Sequence, residues 1–511
     1  MNLLHTASLI VLLTLVGRLL GFFRNIYLSH LYGTGMVADA FTIASTIPFT
    51  LFLVVPGAIN AVLIPPLRGL LEKGDHGRAQ EIYQKVLTIT LLFFFLLAAA
   101  GWIWAYEVTG LFGVTGEKAA ITAEMLRWMW PSAVFIGLIG LWSSISNAHQ
   151  HFFTPTLGTV ANGAAVLVGI YLLVPVWGTA GLAIATTIGY LAAAVTILPT
   201  MRRFGYQHRF RGAWRQDELL QGMGERLVPI LIGAAIAQLT TFLERGFASE
   251  LGDGKIAALM YANTIAQLPM AIFVGAFTLP LFPLLASYVK RGEMERMTET
   301  LQKGLAYLLI LLLPVTAGLI LYAEPLVSLV YERGQFGPTA TAWTAWGLIF
   351  YSLGLYALAG RDLLTRAFYA LENTRTPVTI GALGIAVYLL TAWLTLRWLD
   401  HGGLALSASV SALAQVVLLF IALWRRIGRC PVNRTFLATC ARTAGAAGVM
   451  SLAIWQAEAF LGKLPLWLHL SAGIAGAALL YFAVLMVLRE PLMKEVLAKL
   501  LRRKQGAASG N

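Results

Sequence analysis

Charge and cysteine are both scarce in this sequence of 511 residues. Asp, Glu, Lys and Arg together make up 12% of it, and Cys430 and Cys440 are its two cysteines. Two cysteines give neither a disulfide framework nor the ligand spacing of a metal site. The CxxC, HExxH, GxGxxG and Walker-loop patterns of redox, protease and nucleotide sites are also missing from the sequence. We therefore expect no enzyme, no metal and no cofactor.

Apolar residues are abundant, at 58% of the sequence with a mean hydropathy of +0.74. Apolar runs of about 20 residues, the length that crosses a bilayer, recur from one end of the chain to the other. This pattern is typical of a polytopic helical membrane protein and not of a soluble core. The first run has no Ala-x-Ala-like cleavage site and contains Arg18, so we interpret it as a retained helix and not as a signal peptide.

The hydropathy pattern predicts an all-α fold of about fourteen transmembrane helices. The predicted spans are 7–31, 37–66, 86–105, 125–148, 157–176, 179–201, 227–248, 256–288, 304–331, 339–371, 377–399, 402–424, 436–461 and 467–488.

An internal repeat divides the first twelve helices into two sets of six. Short matches recur in order at offsets of 221 to 223: Arg24 with Arg245, Pro48 with Pro269, Thr154-Pro155 with Thr376-Pro377, Gly181-Leu182-Ala183 with Gly403-Leu404-Ala405, and Arg202-Arg203-Phe204-Gly205 with Arg425-Arg426-Ile427-Gly428. An even number of helices per set gives both sets the same orientation. This predicts two parallel-repeat lobes with a binding space between them, as in many transporters.

The repeat sets the predicted domain organisation. We expect an N-terminal lobe (1–205, helices 1–6), a basic cytoplasmic linker (206–226), a C-terminal lobe (227–428, helices 7–12), two extra helices (429–490) and a cytoplasmic tail (491–511). The stretch Pro491–Lys504 is apolar on one helical face and basic on the other. It is interpreted as an amphipathic helix on the anionic cytoplasmic leaflet, with a protein-docking helix as the alternative.

The net charge of +13 resembles that of a nucleic-acid-binding protein until the charges are placed along the chain. On the predicted topology, 27 of the 37 Lys and Arg residues lie in loops or tails on one side of the membrane. Five lie on the other side, namely Lys118, Lys255, Arg333, Arg397 and Lys463. By the positive-inside rule the basic side is cytoplasmic, and it carries both termini and Cys430. We therefore predict a multi-pass membrane protein with its basic side in the cytoplasm, and with membrane lipids and no nucleic acid as partners.

Three ionisable residues fall inside the first two predicted helices. Arg18 and Arg24 lie on the first helix and Asp39 on the second. A charge at the bilayer centre costs roughly 2.5–3.5 kcal/mol, so such groups normally face a protein interior or a watery cavity. Snorkelling to the headgroups is the alternative, and it suits Arg24 better than Arg18. The GxxxG spacing of Gly17 and Gly21 predicts that a neighbouring helix approaches this one closely.

Two further charged pairs lie within or beside helices. Repeat position makes Arg245 the partner of Arg24, although a local pair with Glu244 would explain it equally well. Arg361 and Asp362 are interpreted as a buried, mutually neutralising pair with a structural or gating role, more readily than as a ligand site.

The sequence resembles the MurJ/MviN family, the lipid II flippases of the MOP superfamily. The resemblance lies in Gly17-Arg18-x-x-Gly21-Phe22-x-Arg24, Gly33-x-Gly35-x-x-x-Asp39-Ala40-Phe41, Tyr331-Glu332-Arg333-Gly334-x-Phe336, Arg366–Ala370 and Asn373–Pro377, and it covers helices 1–12. It implies movement of an undecaprenyl-diphosphate-linked glycopeptide lipid from the cytoplasmic to the outer leaflet of a bacterial cytoplasmic (inner) membrane. It also implies that Arg18, Arg24 and Asp39 are needed for function, and that helices 13 and 14 line a groove for the lipid tail.

The sequence departs from the family pattern at two places. Helix 2 lacks the arginine that the family commonly has late in that helix, and helix 8 carries Asn263, Thr264 and Gln267 where the family commonly has charges. Val378–Leu396 contains no Asp or Asn, so no sodium site is assigned. We hypothesise that Arg18, Arg24, Asp39 and Arg245 form the substrate-binding site. In it the arginines bind a diphosphate, and Asp39 pairs with an arginine when the cavity is empty.

The expected function is therefore a lipid II flippase of peptidoglycan synthesis. It would work by alternating access, with cell-wall synthesis proteins as further partners. Without a nucleotide site, transport would depend on a gradient, the membrane potential or a partner. The alternatives are a flippase for another polyprenyl-diphosphate-linked saccharide, of the exopolysaccharide or O-antigen type, a cation-coupled drug exporter, and a scaffold that does not transport.

Overall fold

The computed structural model describes residues 3–210, 212, 216–428 and 433–493, which form helices and short connections without a strand. The helices are α1 (Leu3–Tyr32), α2 (Met36–Glu72), α3 (His76–Ile103), α4 (Ala105–Gly110), α5 (Gly116–Met129), α6 (Ser132–Ala148), α7 (Phe153–Arg203), α8 (Glu218–Ser249), α9 (Lys255–Pro269), α10 (Gly275–Lys290), α11 (Met294–Leu321), α12 (Ala323–Tyr331), α13 (Pro338–Leu353), α14 (Leu355–Ala370), α15 (Arg375–Leu399), α16 (His401–Ile427), α17 (Arg434–Leu461) and α18 (Leu466–Val487). A π-helical turn at Met270–Val274 joins α9 to α10. Cys430 and the predicted tail helix beyond Met493 lie outside the described residues.

The all-α polytopic membrane architecture predicted from hydropathy is confirmed. Within the described ranges, ten helices are long and apolar enough to cross a membrane, and two bent pairs raise the number to twelve. Helix α7 has 51 residues, about 77 Å at 1.5 Å per residue, which exceeds twice the hydrocarbon thickness of a bilayer. It is broken at Gly178 (φ 53°, ψ −126°), so it provides two spans. The count of fourteen is consistent with these helices and stays a prediction.

The backbone repeats with the offset of the sequence repeat. Gln150 and Glu372 have φ of 59° and 56°, and Gly178 and Asp400 both have φ of 53°; each pair is 222 positions apart. Left-handed backbone is uncommon outside glycine, so two such matches at one offset are unlikely to arise independently. The bends agree with this, because α5–α6 bends by 43° and α13–α14, its counterpart, by 42°. The duplication is therefore a property of the chain's conformation as well as of its sequence.

The chain divides into two compact units. The first contains Met1–Ala257 and Arg333–Phe336, and the second contains Ala258–Glu332 and Gly337–Asn511. The first has its apolar core among α2, α3, α6 and α7, around Ile136, Leu141 and Ile197. The second has one core among α11, α14 and α16 and another where α11 meets α17 and α18. This division reflects packing, whereas the predicted lobes follow the duplication, so the predicted lobe boundaries stay a prediction.

Within the first unit, the segment between α7 and α8 is fixed to α3 by ion pairs. Asp217 lies almost fully buried at the N-cap of α8, where its carboxylate accepts a hydrogen bond from the Leu219 amide at 3.3 Å. The same carboxylate binds Arg78 and Lys85, each at 2.8 Å. Burial raises the pKa of Asp217, but the bond to Lys85 and the charge of Arg78 outweigh it, so the pKa lies below its ordinary value. The end of this segment is thus held by two cations of α3.

Aromatic and histidine side chains fix the start of the same segment. His208 contacts the Tyr83 hydroxyl, and the backbone oxygen of Gln207 accepts from Gln80 at 2.8 Å. The ring of His149 stacks on Phe204 with their centroids 4.2 Å apart. Burial lowers the pKa values of His149, His151 and His208, and the charges of His76, Arg203 and Arg202 respectively lower them further. These histidines are therefore neutral in the folded protein near neutral pH.

Candidate transport site

The two predicted cavity arginines lie on α1. Arg18 is exposed and makes no hydrogen bond or ion pair with any described residue. Arg24 is half-buried, and its guanidinium donates from Nε and Nη2 to the Asn25 Oδ1 at 3.2 and 3.1 Å. Asn25 is itself 5% exposed. Arg18 is thus a cation free to bind a ligand, whereas Arg24 is oriented by its neighbour.

One of the two glycines in the GxxxG pair of α1 lies at a contact with another helix. A Cβ on Gly17 would lie 3.6 Å from the Thr159 hydroxyl of α7, so this glycine lies at the contact between α1 and α7. A Cβ on Gly21 would meet no heavy atom within 4 Å. The expectation of a close helix contact is correct for Gly17 and wrong for Gly21.

Asp39 is fully buried in the first turn of α2, and its carboxylate binds three donors in the first unit. Oδ1 accepts from the Ala257 amide at 2.8 Å, and Oδ2 accepts from the Gly254 amide at 2.7 Å and the Lys118 ammonium at 3.2 Å. Lys118 lies in α5 and is itself buried. The hypothesised arginine partner of Asp39 is not found in this conformation, because lysine and backbone amides take that place.

The start of α9 explains why a distant carboxylate is needed there. Helix α9 begins at Lys255 after Gly252 and Gly254, whose φ values of 97° and 93° favour glycine. Glycine has no side chain with which to cap the first amides of a helix. Asp39 supplies this cap from α2, and its negative charge also suits the positive end of the helix dipole. The buried charge is therefore compensated by charge-assisted hydrogen bonds.

Arg245 and Glu244 lie at the same turn, near the end of α8. Their side chains form a buried pair, with Arg245 Nη1 3.6 Å from Glu244 Oε1. The same Nη1 donates to the backbone oxygen of Ile256 at 3.3 Å. The structure thus contains the local Glu–Arg pair that the sequence left as an alternative. Arg245 as a substrate ligand stays a prediction.

Asp362, predicted to neutralise Arg361, makes its direct ion-pair contact with Arg366. In the second unit, Asp362 accepts from Arg366 Nε at 3.0 Å, one helical turn further along α14. Both partners are substantially exposed, so this pair adds a few tenths of a kcal/mol. The mutual neutralisation of Arg361 and Asp362, and their structural or gating role, stay predictions.

Sequence reasoning missed the partners of Asp39. Lys118 binds both Asp39 and, at 2.7 Å, the half-exposed Asp253 in the turn before α9. We call Asp39, Lys118, Glu244, Arg245 and Asp253 the turn cluster, because all five surround the α8–α9 turn. The sequence signal that could have found Lys118 is its position as one of the five Lys and Arg residues predicted to lie on the side of the membrane with few charges.

The two helices beyond the duplication form an apolar groove in the second unit. A cavity of about 370 Å³ lies between α11, α17 and α18. Its wall includes Pro314, Gly318, Met450, Ile454 and Tyr481. Gly473 allows the close packing beside this groove, because a Cβ there would lie 2.3 Å from the Tyr322 hydroxyl oxygen. The predicted helices 13 and 14 thus border a space suited to a hydrocarbon chain.

Two of the three polar residues of helix 8 that depart from the family pattern bind each other, and the third, Thr264, donates to the backbone oxygen of Met260 at 2.8 Å. Gln267 Nε2 donates to Asn263 Oδ1 at 2.6 Å, one turn apart on α9. Where the family commonly carries charges, this chain therefore has two amide side chains that are hydrogen-bonded to each other.

A duplicated set of apolar helices with a buried charged cluster and an apolar groove defines an integral membrane protein of the transporter type. A family model described as lipid II flippase MurJ matches residues 28–471, which is most of the chain. The chain belongs to this family.

Individual relatives agree with this assignment. A probable lipid II flippase MurJ of Rhizobium meliloti is 28% identical over 493 residues, covering 92% of this chain and 91% of the relative. A lipid II flippase MurJ of Burkholderia cenocepacia is 27% identical over 441 residues, covering 83% and 84% of the two chains. A solved structure of a lipid II flippase MurJ in an inward closed conformation superposes with a TM-score of 0.80 at 21% identity, covering 96% of this chain and all of that one. The structural likeness supports the fold.

Proposed function

We propose that this protein moves lipid II, the lipid-linked precursor of peptidoglycan, from the cytoplasmic to the outer leaflet of the bacterial cytoplasmic membrane. The observation that carries the proposal is the family match over residues 28–471, within relatives that are themselves named lipid II flippases. The asymmetry of Lys and Arg along the sequence supports an orientation with both termini in the cytoplasm.

The diphosphate of the cargo is proposed to bind Arg18 and Arg24. A guanidinium matches two phosphate oxygens at once, and each charge-assisted hydrogen bond contributes roughly 1.5–3 kcal/mol. Arg18 has no partner among the described residues, so binding a phosphate would break no existing ion pair. Arg245 is already engaged by Glu244 and a backbone oxygen, so we expect it to contribute less.

The polyprenyl tail is proposed to lie along the groove of α11, α17 and α18. This groove offers about 370 Å³ with an almost entirely apolar wall, and burial of hydrocarbon is favourable in proportion to the area removed from water. A pocket of this size holds a drug-sized ligand, so it would take a segment of the tail and not the whole chain.

The turn cluster is proposed to hold one gate of the transport cycle. Asp39 and Lys118 fix the α8–α9 turn against α2 and α5 within the first unit. Alternating access requires that such contacts form in one state and release in another. The need for Asp39 would then come from this cap and not from direct contact with the cargo.

Complementation of a bacterium depleted of its only lipid II flippase tests the proposal. The wild-type chain should sustain growth, and Arg18→Ala, Arg24→Ala and Asp39→Ala should fail at equal membrane levels. Arg18→Lys should also be poor, because an ammonium lacks the bidentate fork of a guanidinium. Arg397→Ala is the matched control, since Arg397 is an exposed arginine at the end of α15 with no proposed role.

Lysis of cells that contain well-expressed wild-type protein would contradict lipid II as the cargo. If a labelled exopolysaccharide precursor were flipped in its place, the alternative cargo would be correct. Full growth with Arg18→Ala would place the diphosphate site elsewhere and leave Arg18 as a residue that reaches toward the headgroups.

A further inference from the structure

A basic cavity of about 610 Å³ lies in the second unit, where α14 ends, α15 begins and α16 ends. Arg375, Arg425 and Arg426 line it, and none of its lining residues is acidic. All three arginines are exposed, and none forms an ion pair with a described residue. The cavity therefore concentrates three positive charges that no described residue neutralises by an ion pair.

The rest of the wall is mostly apolar and continues onto the outer surface of α16. Ile380, Leu418 and Ile421 line the cavity, and Val417 and Trp424 beside them are about half exposed. Both α15 and α16 are long and apolar enough to cross a membrane, with the arginines at their ends. The cavity thus lies where a bilayer changes from hydrocarbon to headgroups.

The equivalent region of the first unit, at the turn between α6 and α7, makes the same side-chain contact but is occupied by different residues. His151 contacts the Thr154 hydroxyl at 2.8 Å, as Asn373 donates to the Thr376 hydroxyl at 2.9 Å. In the first unit Phe204 follows the arginine pair, stacks on His149 and meets His151 edge-on.

In the second unit no aromatic residue stands at the positions of Phe204 and His151, although Phe368 lines another part of the cavity. Ile427 stands at the position of Phe204, Asn373 at that of His151, and Arg375 at that of Phe153. In the first unit, aromatic and histidine side chains therefore occupy this region. In the second unit the region is an open cavity with one additional arginine.

We propose that this cavity binds the phosphodiester headgroup of an anionic phospholipid from the adjoining leaflet. The three guanidinium groups match the phosphate oxygens, and the acyl chains follow the apolar residues of α16. A free phosphate would use the arginines alone and leave the apolar wall unoccupied. This lipid is separate from the proposed cargo, and the site does not depend on the cargo's identity.

Native mass spectrometry of the full chain with added phosphatidylglycerol tests the proposal, with phosphatidylcholine of the same acyl chains as the neutral comparison. Arg425→Gln with Arg426→Gln should weaken retention of one phosphatidylglycerol per protein by at least about tenfold. The duplication supplies the matched control. Arg202→Gln with Arg203→Gln removes two charges from the equivalent region of the first unit, which has no open cavity of this kind, and should change retention of the lipid little.

A variant that keeps all three arginines distinguishes lipid binding in the cavity from general electrostatic attraction to the protein surface. Ala422→Phe places a ring in the cavity while retaining all three arginines, and it should also release the lipid. If the two arginine pairs have equal effects, or Ala422→Phe has none, the proposal is wrong. Complete displacement of the lipid by millimolar inorganic phosphate would likewise reduce the site to one for free phosphate. If the double variant does not fold, Ala422→Phe and Arg375→Gln provide the same comparison.

Discussion

Asp39 is identified by the sequence as a buried charge, but its surroundings are not. Its partners come from α5, 79 positions along the chain, and from the α8–α9 turn, 215 and 218 positions along. A single sequence carries no signal that pairs a carboxylate with amides so far away. The arginine partner hypothesised for Asp39 was a reasonable choice by charge alone, and the structure replaces it with a helix cap.

Asp39 and Lys118 should behave as a coupled pair. We expect Asp39→Asn and Lys118→Met each to lower the free energy of unfolding by roughly 1–3 kcal/mol, because each removes the charge-assisted contact between two buried groups. After these changes Asp39 would keep its two backbone amides and Lys118 would keep Asp253. The double variant should lose less than the sum of the two, since either single change already removes their shared contact, with a coupling of roughly 0.5–3 kcal/mol. Denaturant or thermal unfolding of the purified protein measures these values.

Lys463→Met is the control for that pair, since Lys463 is exposed in the turn between α17 and α18. It should change stability little. Strict additivity of Asp39→Asn and Lys118→Met would mean that the 3.2 Å contact contributes nothing.

The segment between α7 and α8 shows which features of a single structural element can be predicted from the sequence. The predicted basic linker 206–226 overlaps this segment, but α8 begins at Glu218, so the last nine residues of the predicted linker are helical. Its docking on α3 through Gln207, His208 and Asp217 was not predicted, because ion pairs and ring contacts between distant segments leave no periodic pattern. The neutral histidines make this docking sensitive to pH.

Stability should fall as the pH drops below about 6.5, the ordinary pKa of histidine. The pKa values of His149, His151 and His208 are lowered in the folded protein, so the unfolded chain binds more protons near pH 6 and protonation favours unfolding. The stabilisation is therefore complete above about pH 6.5 and is lost as the pH falls further. The lowered pKa of Asp217 acts only below its ordinary value of about 3.9 and leaves this range unaffected.

Melting temperatures measured between pH 7.5 and 5.5 check this expectation. Replacing the three histidines with glutamine should flatten the pH dependence, even if the variant melts lower throughout because it lacks the stack on Phe204. An equally steep decline in the variant would assign the effect to other groups.

At the scale of the whole molecule, the sequence predicts more than it does at either smaller scale. Hydropathy and the repeat gave the helical membrane fold, and the paired backbone breaks at Gly178 and Asp400 support the duplication independently. Helix limits were less predictable: α5 begins at Gly116, nine residues before the predicted fourth span, because its first turns carry Glu117 and Lys118 and are not hydrophobic. Hydropathy detects the apolar part of a helix, while backbone hydrogen bonding continues through polar turns.

The orientation of the whole chain can be tested with its two native cysteines. Arg425, Arg426, Arg429 and Arg434 surround Cys430 in the sequence, so the positive-inside rule places it in the cytoplasm. A membrane-impermeant maleimide should therefore label the protein in inverted vesicles and not in intact cells. Cys430→Ala should remove most of this labelling, whereas Cys440→Ala should retain it, because Cys440 lies half-buried within α17. Labelling of Cys430 from outside the cell would reverse the orientation and require a different number of spans before α17.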